Sequence, residues 1–433
     1  MRKLTPFVAG LLAILFSGFA ASAQKSYLHC GRLIDVVNGD ERQNVTVVVE
    51  NGKIADILNG YSGNGNIIDL RKYTVMPGLM DSHVHLEAES RKGGLIDEFL
   101  LNPEDIAFGS LAFAKRTLMS GFTTVRDLGG SGVNISLRNA VAAGKVAGPR
   151  ILTSGKSIAT TGGHADPTNA WRKDLMGSPG PAEGVINGSA DAYEAVRQRY
   201  KDGSDLIKIT ATGGVLSQAK DGKNAQFTDA ELEAIVAAAK DYGFAVAAHA
   251  HGTEGIKRAI RAGVTSIEHG SYMDEEAMDM AIQKGTWLVP TITAGKSVAD
   301  SAKIQGYYSA VVTPKAIEIG PQIQNTFAKA WKKGVKIAFG TDAGVFAHGK
   351  NWLEFKYMTE AGMPAMDAII SATKSAAQLL GIWDQTGSIE PGKFADIIAV
   401  EGNPLQHIEA MGNVVFVMKE GKIYKREGRE TLD

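Results

Sequence analysis

Met76-Pro77-Gly78-Leu79-Met80-Asp81-Ser82-His83-Val84-His85 is the stretch on which the reading of this chain turns. Its apolar start, Thr74–Met80, has the composition of a buried strand, and it ends in two histidines one residue apart. On an extended chain, residues two apart point to the same face, so His83 and His85 share one side. Working outward, seven more short apolar, β-branched runs follow: Thr123–Asp127, Arg150–Ser154, Leu206–Thr210, Ala245–Ala248, Ser266–Glu268, Trp287–Thr291 and Lys336–Gly340. Between them lie longer stretches with apolar residues three and four apart, among them Asp229–Asp241, Gly255–Ala262 and Glu275–Lys284. Each such helix has one face to lay on a sheet. Eight strands alternating with helices predict an α/β fold, a (β/α)₈ TIM-like barrel, over residues 75–387. The connection Thr161–Ser189 is rich in Gly, Pro and polar residues and is longer than an ordinary barrel loop, which points to a functional segment.

The two ends of the chain carry a different pattern. Asn44–Leu58 (NVTVVVENGKIADIL) and Asn413–Lys425 (NVVFVMKEGKIYK) each read as strand, Gly-containing turn, strand. They are expected to meet in one small β-sandwich domain, residues 24–74 with 388–433, to which Ala395–Val400 adds a strand. Ahead of it stand Arg2-Lys3, an apolar run from Phe7 to Ala20, and Ala21-Ser22-Ala23, the order of a cleavable secretory signal. The run is short for a membrane span. Residues 1–23 are therefore expected to be removed near Gln24, giving a secreted or periplasmic protein with no stable membrane insertion. Cys30 is the single cysteine of the 433 residues, which excludes an intramolecular disulfide and a thiolate zinc site. Its strand-like setting, Tyr27 to Ile34, makes it a small buried apolar residue. Lys plus Arg number 46 against 47 for Asp plus Glu, so no excess charge draws the chain to nucleic acid or an anionic membrane. A small molecule is the expected partner.

The chemistry lies at the carboxyl ends of the strands. Besides His83 and His85, Lys208 sits inside the apolar run DLIKIT, where a free buried cation would be costly. His249 ends the fifth strand (VAAHAHG), His269 the sixth (SIEHG) and Asp342 the eighth (AFGTDAG). One histidine at a strand end is commonly a hydrogen-bonded structural residue, but six groups of ligand type at one rim point to a metal-dependent site. His251, two residues past His249, faces the same way and reads as a substrate contact or a structural histidine. Arg126 (TTVRDLGG) could meet a substrate carboxylate with its guanidinium fork, or form a salt bridge with Asp127 or a loop acid. Gly213-Gly214 reads either as a close backbone approach to a ligand or as a tight turn.

The motifs MPGLMDSHVH, TTVRDLGG, IKITATGGV, AHAHG, SIEHGSYMD and GTDAG, with the later GSIEPGKFADIIAV, are similar to those of the amidohydrolase superfamily. From Val75 to Ala347 the sequence resembles its metal-dependent dipeptidase branch, that of Xaa-Pro dipeptidases and imidazolonepropionase-like proteins. The resemblance implies two divalent metal ions bridged by Lys208, carboxylated by carbon dioxide. His83, His85 and Asp342 would hold the more buried ion, and His249 with His269 the outer one. It also implies substrate contacts from His164, in the loop TTGGHAD, and from Tyr272. Nitrogen and oxygen donors without thiolate suit Zn²⁺, with Mn²⁺ or Co²⁺ open on ligand grounds. Asp342 is then the base that takes a proton from water and returns it to the leaving amine. The implied reaction is cleavage of a dipeptide or a C-terminal residue, with hydrolysis of N-acyl amino acids, ochratoxin-type aromatic amides included, as the alternative. Cyclic amide or organophosphate ester hydrolysis and a non-catalytic metal-binding role rank behind these. A homo-oligomer is possible, but no interface is readable.

Overall fold

The computed structural model describes residues 25–431. The expected signal, residues 1–23, lies outside them. No helix among the described residues is long and apolar enough to cross a membrane.

The chain ends form one mixed sheet of eight strands. In order across the sheet, these are Arg429–Glu430, Lys422–Arg426, Val414–Lys419, Ile397–Val400, Asn66–Pro77, Ser26–Asp35, Asp40–Glu50 and Lys53–Asn59. Both expected hairpins are present and turn alike. Asn51-Gly52 has φ of 53° and 76°, and Glu420-Gly421 has 51° and 78°, a paired left-handed conformation matched to strand twist. The turns touch: a Cβ on Gly421 would stand 2.7 Å from Gly52 Cα. What the sequence suggested as a sandwich is thus a single hydrogen-bonded sheet, curled so that the Ala395 N–H donates to the Gly52 carbonyl. It encloses its own core, including Leu28, Val47, Ile397 and the fully buried Cys30.

The middle of the chain builds parallel strands. Leu79–Val84 pairs with Phe122–Asp127, and that strand with Arg150–Thr153. A second set runs Ile207–Thr210, Val246–Ala250, Ser266–His269 and Trp287–Val289. Single parallel bridges join the two sets: Ile158 to Ile209, Leu288 to Ile337, and Ala343 back to Val84. The parallel pairings therefore return to the strand where they began. The helices Asp229–Asp241, Thr253–Ala262 and Glu275–Lys284 stand where the periodicity places them. The first of these opens with a capping box between Thr228 and Glu231.

Two strand boundaries differ from the sequence reading. Thr74–Met80 is split, its first part completing Asn66–Pro77 in the end sheet and its last part opening Leu79–Val84. Pro77 offers no N–H to a ladder, and a Cβ on Gly78 would fall 2.2 Å from Thr123 Oγ1, so the chain changes sheets there. Lys336–Gly340 keeps its place in the circuit but pairs only at isolated positions.

Candidate active site

At the carboxyl ends of these parallel segments lies a cavity of about 230 Å³. His83, His85, Lys208, His249, His269 and Asp342 all line it, as do His164 and His251. Val215, Leu216, Val298, Ile319, Ile323 and Val345 line it as well, and five of these six pack together in one apolar cluster. The lining is thus polar and titratable in part and apolar in part.

The ring orientations follow from what stands behind each imidazole. His83 Nδ1 lies 2.9 Å from Glu268 Oε2, and His85 Nδ1 donates to the Gly129 carbonyl at 2.8 Å. Their Nε2 atoms thereby face Asp342 Oδ1, at 3.5 and 3.3 Å. His249 is held through Nε2 by the Gly213 carbonyl at 3.2 Å. His251 and His269 are held through Nδ1 by the hydroxyls of Ser271 and Thr291, each at 2.7 Å. Burial holds His83, His249 and His269 well below the usual histidine range, and His251 and His164 at about 3, so these rings face the cavity as neutral bases. Burial also lowers Lys208 to about 8. For Asp342 burial acts upward, but His83, His85 and Lys208 outweigh it and hold the carboxyl below its ordinary value.

Two groups of donors lie close enough together to hold a metal ion. Atoms of His83, His269 and Asp342 lie within 4.8 Å of one another, and so do atoms of His249, His251 and His269. Asp342 Oδ1 is buried and accepts no hydrogen bond. Burial acts downward on His85, but Asp342 outweighs it and raises that ring above the ordinary histidine value. An anionic oxygen left so beside the ring nitrogens of His83 and His85 suits a divalent cation. His251, two residues past His249, stands in the second donor group.

The remaining expected contacts are placed differently. His164 lines the cavity with Nδ1 unpartnered, its ring centroid 4.4 Å from that of His249. Gly214 lies against the same ring, where an added Cβ would come within 2.4 Å of it, so the glycine provides room for His164. Tyr272 does not line the cavity. Its hydroxyl donates to Glu318 at 2.6 Å, and the Lys223 ammonium sits 4.3 Å from its ring centroid. Arg126 does not reach the cavity either. It is 2 % exposed and donates to the Ser82 carbonyl at 2.6 Å, Ser266 Oγ at 3.2 Å and Glu268 Oε1 at 2.8 Å. Its partner is thus Glu268 on another strand, and a guanidinium so occupied has no fork to offer a substrate carboxylate. Glu268 and Asp81 were not singled out from the sequence. Asp81 accepts from the backbone N–H groups of His83 and Thr341 and from Thr341 and Asn351 side chains, tying the first parallel strand to the last. A carboxylate inside an apolar strand, in SIEHG and in LMDSHVH, was the available signal.

Fold and cavity together define a hydrolase with side-chain clusters suited to metal ions. The chain belongs to the amidohydrolase family, whose profile matches residues 74–424, and it acts on carbon–nitrogen bonds. A solved Xaa-Pro dipeptidase with methionine bound in its active site is 54% identical, with a TM-score of 0.91, covering 93% of this chain and 100% of that one. A prolidase complexed with N-methylphosphonate-L-proline is 30% identical, with a TM-score of 0.84 over 93% of this chain and 100% of its own. Ochratoxinase from Aspergillus niger is 31% identical over 437 residues, 94% of this chain and 88% of the relative.

Proposed function

We propose that the protein hydrolyses the amide bond of dipeptides or removes C-terminal residues, with proline or an apolar residue on the leaving side, using two divalent cations, most simply Zn²⁺. One observation carries this: a single cavity gathers His83, His85, Lys208, His249, His269 and Asp342 together with the apolar Val298, Ile319 and Ile323. The circuit of parallel segments is read as a (β/α)₈ barrel, with the cavity at its carboxyl end as in other enzymes of that architecture.

His83, His85 and Asp342 would hold one ion and His249 with His269 the other, Lys208 bridging them as a carbamate. Bound there, such ions lower the pKa of water and polarise a carbonyl. The protein's own groups do the rest. Asp342 takes the proton of the attacking water on its free carboxylate oxygen and delivers it to the leaving nitrogen. Glu268, Gly129, Gly213 and Thr291 each hold one ring nitrogen of His83, His85, His249 and His269, which leaves the opposite nitrogen of each to face the cavity. The apolar part of the lining takes the side chain of the departing residue and excludes water from the reacting carbonyl. A relative with methionine in its active site supports an apolar occupant there.

A second reading, hydrolysis of N-acyl amino acids including ochratoxin-type aromatic amides, is favoured by the 31% identity to ochratoxinase. The deciding experiment screens the purified chain against a dipeptide library and N-acyl amino acids while bound zinc is quantified. Cleavage of Xaa-Pro or Xaa-hydrophobic dipeptides with two equivalents of metal is expected. Two equivalents of metal without cleavage of any amide would leave a binding protein instead.

A further inference from the structure

Six imidazoles line the cavity, and five have one ring nitrogen held from behind. Four of these five rest on neutral oxygens: the carbonyls of Gly129 and Gly213 and the hydroxyls of Ser271 and Thr291. His83 alone rests on a carboxylate, Glu268 Oε2. Behind that carboxylate stands Arg126, which grips the opposite oxygen, Oε1, at 2.8 Å and the Ser82 carbonyl, next in sequence to His83, at 2.6 Å. All three side chains are at most 2 % exposed, so no water competes for these contacts.

We infer that Arg126 and Glu268 form a positioning pair that fixes the tautomer of His83 and makes the cation position served by His83 the tighter of the two. The inference rests on the metal-site reading above. Its logic is directional. Arg126 can only donate, so it fixes Oε1 as an acceptor. Oε2 is then left to accept from His83 Nδ1–H, and His83 Nε2 is left as a lone pair facing the cavity. A carboxylate behind a ligating imidazole raises its basicity more than a hydroxyl or carbonyl does, and loss of such a partner typically weakens metal binding about 10- to 100-fold.

The same logic makes the pair testable apart from its contribution to folding. In Glu268→Gln one amide oxygen must serve Arg126 and His83 Nδ1–H, the only two partners that cannot accept, since the Ser266 hydroxyl that donates to Oε1 can rotate to accept from the amide instead. If the oxygen faces Arg126, the amide NH₂ faces His83 and reverses its tautomer. In Arg126→Met with Glu268→Gln the amide is free to turn its oxygen to His83. Zinc stoichiometry and affinity, measured on the full chain by competition with a chromophoric chelator, should show one equivalent weakened about 10- to 100-fold in Glu268→Gln. The double variant should recover part of that loss. A merely structural pair would instead lower the melting temperature, the double variant most, with both zinc affinities unchanged, and that result would overturn the inference. Should Glu268→Gln not fold, Arg126→Lys, which keeps the charge but loses the fork, must still weaken one equivalent; unchanged affinity there also overturns it. Wild-type protein that takes up no zinc would overturn the metal-site reading as well, whereas two equivalents bound with unchanged affinity in wild type and all variants overturns this inference alone.

Discussion

Gly214→Ala offers a test of whether His164 serves the substrate rather than the metal. The His164 ring packs against both Gly214 and His249, its centroid 4.4 Å from that of the His249 ring. A Cβ at position 214 would lie 2.3 Å from His164 Cε1 and 2.4 Å from both ring nitrogens. Comfortable contact needs about 3.5 Å, so the ring must move by roughly 1 Å. Gly214 is not among the residues with left-handed backbone, so alanine adds this collision and no torsional cost. Overpacking of this kind costs about 1–3 kcal/mol. If the cost falls on the substrate complex, kcat/KM drops roughly 5- to 150-fold, with bound zinc unchanged. The assay is kcat/KM on the best dipeptide for wild type, Gly214→Ala, His164→Ala and the double variant. Because His164→Ala removes the ring that alanine would strike, Gly214→Ala should cost almost nothing in that background. Equal losses in both backgrounds, or none in either, would refute the reasoning.

Asp342→Asn should lower kcat by about 10²- to 10⁴-fold while retaining at least one equivalent of zinc; near-normal turnover would remove Asp342 from the proton path. Lys208 gives a pH dependence. Burial brings it from 10.5 to about 8, so about one amine in ten is neutral at pH 7, against about one in three thousand for an ordinary lysine. Only the neutral amine takes up carbon dioxide, so reconstitution of metal-free protein with zinc at a fixed concentration of dissolved carbon dioxide should accelerate as pH rises towards about 8 and level off above it, and a flat profile under that condition would contradict carbamate formation. Since the folded value lies below the unfolded one, the unfolded state binds more protons between about 8 and 10.5, and the metal-free fold should gain stability over that window in pH-dependent melting. Protein exported from a host with its own leader should begin at Gln24 on N-terminal sequencing, and an intact Met1 would reject the signal reading.

Much of this cavity was legible because the residues that line it obey local rules. His83 and His85, and likewise His249 and His251, share a face through the two-residue period of an extended chain, and all four line the cavity. Lys208 stood out because a lone cation in an apolar run needs a reason to be there. The hairpins showed in their Gly-containing turns. Arg126 was illegible for the opposite reason. Its partner Glu268 is 142 residues away, and only the strand order shows that a strand-end arginine points into the interior. Tyr272 likewise meets Glu318, on a helix 46 residues further on. The break at Pro77-Gly78 was hidden because the run is apolar on both sides of it, and periodicity cannot mark where one sheet hands a chain to another.

The backbone at the site also separates what must stay fixed from what can vary. His269, Thr291 and Asp342 have φ of 70°, 53° and 60°, each a left-handed non-glycine residue at the end of a parallel segment. Such residues cost of order 1–3 kcal/mol each and persist only where their surroundings over-determine them. Here the surroundings do so: the Asp342 N–H donates to the His83 carbonyl at 2.7 Å, and Thr291 holds His269. The buried Glu354 accepts from the Ile292 and Thr293 N–H groups at 2.8 and 2.7 Å, fixing the turn that follows Thr291. Glycine at these three positions would relieve the backbone but remove the functional groups. His164, Val215 and Leu216 stand on connections outside these ties. The cavity-facing histidines and Asp342 are therefore anchored to the strand ends, while the rest of the lining is carried by loops at His164, Val215 and Leu216 and by helices at Val298, Ile319 and Ile323, so on the proposed reading substitutions there alter which amide is accepted and leave the histidine–aspartate cluster in place.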